Sequence, residues 1–262
     1  MIPSLGRRCL LAAAALAPVL AGASQTRVVR VAAASDLQFV LPEVVQRYAQ
    51  HAGVQVAVTY AASGQLAMQI VHGAPFDVFL SADEAFVQRL VRAGLTQDEG
   101  VLYAHGRLAL VAAAQTEWPL DARGAGLSLR LKQGQLRRFA VANPRIAPYG
   151  MRAQEALQSL GLWQPLQQHL VFGENVAQAM QFALSDQTDG GVVALSLAMA
   201  PTLQGKVRHV TLPEHLHQPL RQRMVRLRRA PAVAADLYAY LQRPDVQQAW
   251  QAHGFGAVAQ AR

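Results

Sequence analysis

The chain has 262 residues, 52% of them hydrophobic, a formal net charge of +8 and a single cysteine, Cys9. That apolar content excludes a disordered chain, and the length admits one large domain or two lobes. One thiol excludes both a disulfide framework and a cysteine metal centre.

In chain order, the first segment reads as removable. Arg7 and Arg8 precede an apolar run from Leu10 to Leu20, and Ala21-Gly22-Ala23 suits cleavage before Ser24. This predicts a signal peptide within residues 1–24 and export to the periplasm. The apolar run is shorter than the roughly 20 residues that cross a bilayer. The arginine pair fits the general secretory route and also twin-arginine export. Cys9 lies before the apolar run, so it is badly placed as a lipid anchor, and cleavage leaves a thiol-free chain of net charge +6, since Arg7 and Arg8 leave with it.

Strand-like and helix-like stretches then alternate. The spacing predicts strands at 28–33, 54–60 and 76–80, followed by helices at 41–52, 65–72 and 84–93, with Gly53, Gly73 and Gly94 as stops. Residues 108–114 read as a strand without a following helix, and the turn-rich stretch 115–133 suits a crossover to a second lobe. Strands at 139–142, 170–172 and 191–195 and helices at 152–160 and 176–184 come next. A strand at 207–211, an arginine-rich strand after it and a final helix at 231–251 complete the series. This grammar indicates an α/β architecture with mainly parallel sheets. The expected first lobe is 25–107 plus 208–262 and the second is 108–207.

Five apolar runs end in small or hydroxyl residues just before a helix: Ala34-Ser35-Asp36, Ala62-Ser63-Gly64, Ser81-Ala82-Asp83, Asn143 to Gly150, and Gly173-Glu174-Asn175-Val176. Helix N-termini present unpaired N–H groups and a positive dipole end. Several of them meeting in one cleft form an anion site that needs no cationic side chain.

Taken in order, these segments, with Gly73-Ala74-Pro75-Phe76-Asp77, Asn143-Pro144-Arg145-Ile146-Ala147-Pro148-Tyr149-Gly150, Gly191 to Ser196 and Gly254-Phe255, resemble the periplasmic molybdate-binding proteins of ABC transporters. The resemblance spans nearly the whole mature chain. It implies the two-lobed type II periplasmic binding protein fold, with a ligand cleft between lobes. It further implies that molybdate, and tungstate with it, is captured and passed to a permease in the inner membrane by a monomer that has no cofactor and no nucleic-acid partner. By the same resemblance Ser35 and Ser63 each give a hydroxyl and an N–H to the oxyanion, and the N–H groups near Ala82, Tyr149 and Val176 complete the cage. A tyrosine that contacts the ligand in some members is replaced by Ala194 here. Asn175 either supplies a further donor or caps its helix.

Neutral donors suffice for such a cage. About seven charge-assisted hydrogen bonds at roughly 1.5–3 kcal/mol each exceed what a micromolar to nanomolar complex requires, roughly 8–12 kcal/mol. A site made only of donors also disfavours phosphate, whose remaining proton would face another donor. A sulfate or thiosulfate receptor is the alternative within the class. A secreted serine hydrolase built on Ser35 or Ser63 lacks a Gly-x-Ser-x-Gly elbow.

Other features have plainer readings. Asp36 and Asp83 would repel a dianion and are assigned to caps and lobe structure, although entry of Asp36 into the cleft would favour a protonated anion. Arg221, Arg223, Arg226 and Arg228 alternate as on a solvated strand face. His209, Glu214, His215 and His217 lack a metal-ligand spacing, and Trp118, Trp163 and Trp250 read as packing residues.

Overall fold

A computed structural model describes residues 28–258. The signal peptide expected over residues 1–24 lies outside them. In chain order the elements are β1 (Val28–Ala34), α1 (Leu41–Ala52), β2 (Gln55–Ala61), α2 (Ser63–Val71), β3 (Val78–Ser81), α3 (Glu84–Arg92), β4 (Val101–Gly106) and β5 (Leu108–Ala113). After these come α4 (Ala125–Lys132), β6 (Phe139–Ala142), α5 (Pro148–Ser159), α6 (Trp163–Leu166), β7 (Leu170–Gly173), α7 (Val176–Ala183), β8 (Gly191–Ala194) and α8 (Leu195–Ala198). The chain closes with β9 (Val207–Thr211), β10 (Leu220–Arg226), α9 (Val233–Tyr240) and α10 (Pro244–Ala252).

The strands form two five-stranded sheets, ordered β2-β1-β3-β10-β4 and β7-β6-β8-β5-β9. β1 runs parallel to β2 and β3, whereas β10 runs antiparallel to β3 and β4, so one strand opposes the other four. The second sheet repeats this arrangement, with β5 antiparallel to β8 and β9 while β6 is parallel to β7 and β8. The opposing strand in each sheet follows from the chain path. β4 ends at the cleft with Gly106, and only Arg107 separates it from β5, which therefore runs away from the cleft in the other lobe. β9 ends at the cleft in turn, and after residues 212–219 the chain runs away from it as β10.

The crossing therefore lies at Arg107, and the turn-rich stretch 115–133, which suited a crossover, lies inside the second lobe, where residues 125–132 form α4. β9 pairs with β5 up to Thr211, so the second lobe extends past the expected limit at 207. β4 had no counterpart in the sequence reading, because Val101 to Gly106 carries Tyr103 and His105 among its apolar residues. The expected final helix is two helices, with Pro244 at the start of α10, and a residue preceding proline is turned away from helical geometry.

Burial explains the patterns. β1 lies inside the sheet and reads as a nearly continuous apolar run, while β2 at the edge alternates buried and exposed residues. One face of the first sheet packs Leu41, Val44, Leu237 and Trp250 from α1, α9 and α10. The other face packs Leu66 and Ile70 of α2 with Val87 and Leu90 of α3. The second lobe encloses its own core around Phe139, Val141, Leu110 and Val193. The parallel strands of both sheets thus point their C-terminal ends at the space between the lobes, where open α/β sheets bind ligands.

Candidate functional site

Ala34, Ser35, Asp36, Ala61, Ala62, Ser63 and Ala82 of the first lobe and Ala147, Pro148, Tyr149 and Val176 of the second line one small cleft. All five sequence-derived positions, Ser35, Ser63, Ala82, Tyr149 and Val176, are buried there. Ser63 and Val176 are the first residues of α2 and α7, and Tyr149 is the second of α5. Their N–H groups therefore have no acceptor within their own helix. Gly150 allows α5 to start so close to the end of β6, since a Cβ there would collide with the Ala142 carbonyl oxygen. Among the described residues no lysine or arginine lines the cleft.

Both serines are arranged as donors. The Ser63 Oγ accepts the Ala82 N–H at 2.9 Å, and the Ser35 Oγ accepts the Ala177 N–H at 3.4 Å across the lobes. A hydroxyl has one proton and two acceptor lone pairs, so each serine keeps its proton for an outside acceptor. Ala82 thus acts here through Ser63, which its N–H orients, rather than as the free donor expected from sequence. The room enclosed is about 10 Å³, close to that of one water. A tetrahedral oxyanion is larger, so the lobes must part to admit and seat it.

The lobes meet through a set of specific contacts. The Gly64 N–H donates to the Ile146 carbonyl at 3.0 Å. Arg152 of α5 reaches Asp83 at 2.7 Å, and both side chains are largely buried. Asp83 also caps α3 by accepting the Ala85 N–H at 2.8 Å. The Tyr149 hydroxyl donates to Asp36 Oδ2 at 3.0 Å. Gln222 Nε2 donates to the same oxygen at 2.6 Å and to the Tyr149 hydroxyl at 3.1 Å, while Gln222 Oε1 accepts from the Tyr103 hydroxyl at 2.7 Å. The Ser196 hydroxyl donates to the Asp36 carbonyl at 2.9 Å.

Asp36 is the charged member of this network. Burial raises its carboxyl from 3.8 to about 6, against the opposing hydrogen bonds of Gln222 and Tyr149. Burial likewise pushes the Tyr103 and Tyr149 phenols well above their usual value, and the nearby Asp36 charge adds to it. The sequence reading gave Asp36 a capping role and missed Gln222. Position 222 was legible, because Leu220 and Met224 on the same strand face are core residues and a fully buried glutamine between them requires partners. A register shift between Gln222 and Arg223 marks the same spot.

Other expected positions fall elsewhere. The Asn175 side-chain oxygen caps α7 by accepting the Ala177 and Gln178 N–H groups, both at 3.0 Å, and Asn175 does not line the cleft. Ala194 is fully buried at the end of β8. The arginines of β10 are partnered: Arg221 and Arg223 with Glu84 at 2.6 and 3.1 Å, and Arg226 with Asp98 at 3.2 Å. Glu214 faces Arg107 at 3.4 Å and His217 faces the Gln218 carbonyl. Among the described residues no group of three or more histidine, cysteine or carboxylate side chains could hold a metal.

Comparison with known proteins adds the relatives. The family model described as bacterial extracellular solute-binding protein matches residues 29–256. The molybdate-binding protein ModA of Azotobacter vinelandii is 32% identical over 92% of this chain and 94% of its own length. ModA of Escherichia coli strain K12 is 30% identical over 94% of this chain and 96% of its own. Among solved structures, the periplasmic molybdate-binding protein of Azotobacter vinelandii superposes with a TM-score of 0.79 at 28% identity, covering 88% of this chain and all of that one.

Proposed function

Because this chain belongs to the bacterial extracellular solute-binding protein family, we propose that it captures molybdate, and tungstate with it, in the periplasm and hands the ion to an ABC permease of the inner membrane. It is a binding protein and not an enzyme. The observation that carries the reading is the lining of the cleft: two serine hydroxyls and the starts of α2, α5 and α7 converge from both lobes with no cationic side chain among them. Such donors suit a tetrahedral dianion, and Asp36 is the one carboxylate in the lining among the described residues. The relatives that bind molybdate, named above, give the ion its identity.

Capture follows from closure. With the lobes apart, the donors of Ser35 and Ser63 and those of Tyr149 and Val176 face water on separate surfaces. The anion draws them together, and the contacts between the lobes form around it. In this reading the closed shape, which exists only with both walls engaged, is what a permease recognises. The protein acts as a monomer, with residues 28–106 and 212–258 as one lobe and the stretch between as the other.

Calorimetric titration with molybdate, tungstate, sulfate and phosphate in parallel tests the proposal. Molybdate and tungstate should bind most tightly, and molybdate at 100 times its dissociation constant should raise stability by about 2.7 kcal/mol. A melting temperature unmoved by molybdate, together with a clear shift by sulfate, would transfer the site to a sulfate receptor.

A further inference from the structure

Asp36 does not fit a cage of pure donors. It lines the same cleft as Ser35 and Ser63 and is 1% exposed. Its Oδ2 accepts two hydrogen bonds, from the Tyr149 hydroxyl and Gln222 Nε2, whereas its Oδ1 is buried and has no hydrogen-bond partner among the described residues. The two oxygens are therefore unlike. One is saturated as a carbonyl oxygen would be, and the other is left in the position of an acid hydroxyl free to donate to a ligand. A dianion seated against an ionised carboxylate would meet a like charge in a water-poor space, which costs several kcal/mol, and a proton on that carboxylate removes the conflict.

We infer that anion capture takes up one proton from solvent onto Asp36, and that the resulting Oδ1–H donates to the bound oxyanion. The inference rests on the oxyanion reading of the cleft and makes Asp36 a direct ligand and a specificity residue within it. The step is balanced: a carboxylate and a solvent proton give a carboxylic acid, with no other bond made or broken. With the lobes together, burial raises the Asp36 carboxyl to about 6, and the charge of a bound dianion raises it further.

The surroundings allow Asp36 to titrate alone. From α5 it faces Tyr149, from β10 Gln222, and from β4, through Gln222, Tyr103; α8 offers the Ser196 hydroxyl to its carbonyl. Both tyrosines stay neutral, their phenols being pushed well above the usual value. At the edge of the lobes Arg152 holds both Asp83, at 2.7 Å, and Glu155, at 2.5 Å, and neither carboxylate bonds Asp36.

The sign of the linkage is fixed. Below the carboxyl value of the open protein Asp36 is protonated before and after binding, so affinity does not vary with its state. Above that value the free protein must gain a proton to bind, so affinity falls by up to tenfold per pH unit. Wild-type protein is titrated with molybdate between pH 6.5 and 8.5, in buffers of different ionisation heat. The expected result is uptake approaching one proton at pH 7.5 and a fall in affinity of up to about a hundredfold across the range. Asp36→Asn, which places a permanent N–H donor there, should bind with one constant throughout and more tightly than wild type at pH 8.5. A flat wild-type profile with no proton uptake overturns the inference and leaves the oxyanion site intact. Tight phosphate binding in preference to molybdate also overturns it, since Asp36 would then accept a proton from the ligand. Failure of wild-type protein to bind any of these anions overturns the oxyanion reading itself. The buffer comparison on wild type stands even if the variant is unstable.

Discussion

The two lobes bring different chemistry to the cleft. The first supplies the hydroxyls of Ser35 and Ser63, the start of α2 and the Asp36 carboxyl, with Asp83 behind them, and the second supplies only helix-start N–H groups, at Tyr149 and Val176, with the Arg152 guanidinium behind them. The charged groups mostly face the opposite lobe, Asp83 towards Arg152 and Asp36 towards Tyr149. The neutral groups, and Asp36 with them, face the enclosed space. Charge therefore serves recognition between lobes, and uncharged donors serve recognition of the ion. This division lets closure depend on the ligand: without an anion, burying that many unmatched donors is costly, whereas with one they are all engaged.

The largest expected effect comes from obstructing the seam without touching any donor. Gly64 sits where a Cβ would lie 2.6 Å from the Ile146 carbonyl oxygen of the other lobe. Backbone cannot yield as a side-chain tip would, so Gly64→Val should fold normally with the lobes held apart. Molybdate affinity is expected to fall at least about a hundredfold, or ~2.7 kcal/mol. Calorimetry measures this, circular dichroism checks the fold, and small-angle scattering should report an expanded molecule in the presence of ligand. Wild-type affinity in this variant would mean that the seam at Gly64 plays no part in closure.

A smaller effect should follow from removing charge between the lobes. Arg152→Met leaves one Asp83 oxygen without its 2.7 Å partner in the closed form, while the other still caps α3. Opening lets Asp83 rehydrate, so the cost falls on closure and not on folding. The expected loss is about tenfold in molybdate affinity, ~1.4 kcal/mol, with little change in the melting temperature of the unliganded protein. Asp83→Asn combined with Arg152→Met should cost less than the sum of the single changes, because the two groups act on each other. Additive losses would place Arg152 in direct contact with the anion instead.

Much of this plan was legible in the sequence because both lobes follow the same local rule. An apolar run that stops at a small or hydroxyl residue and opens a helix requires only neighbouring residues to be seen; it marked the five segments, and the family resemblance singled out Ser35, Ser63, Ala82, Tyr149 and Val176 within them, all of which line the cleft. What escaped were properties that arise only when distant segments meet. Asp36 and Gln222 are 186 positions apart, and neither implies the other until β10 is laid beside β3 and β4. Arg152 reads as an ordinary helical arginine until α5 faces α3 across the cleft. The turn-rich stretch 115–133 misled for another reason. A single residue between two strands carries no turn chemistry, whereas 115–133 carries a good deal and joins nothing across the lobes.

The smallest effect separates the two roles of Tyr149. Its N–H stands in the first turn of α5 and faces the cleft, while its hydroxyl serves Asp36 and Gln222. Tyr149→Phe keeps the N–H and the ring and removes the hydroxyl. If only the backbone serves the anion, molybdate affinity at pH 6 should stay within about threefold of wild type, roughly 0.6 kcal/mol. The hydrogen bond from Tyr149 lowers the Asp36 carboxyl, so its loss raises that value further. A carboxyl raised above its usual range is protonated up to a higher pH, and the pH at which affinity begins to decline should move upward with it. Above pH 7 the variant should then bind a few-fold more tightly than wild type, the reverse of what the loss of a ligand contact produces. A drop of more than about tenfold at pH 6 would instead put the phenol itself against the ion, and the second lobe would then contribute a side chain as well as its helix starts.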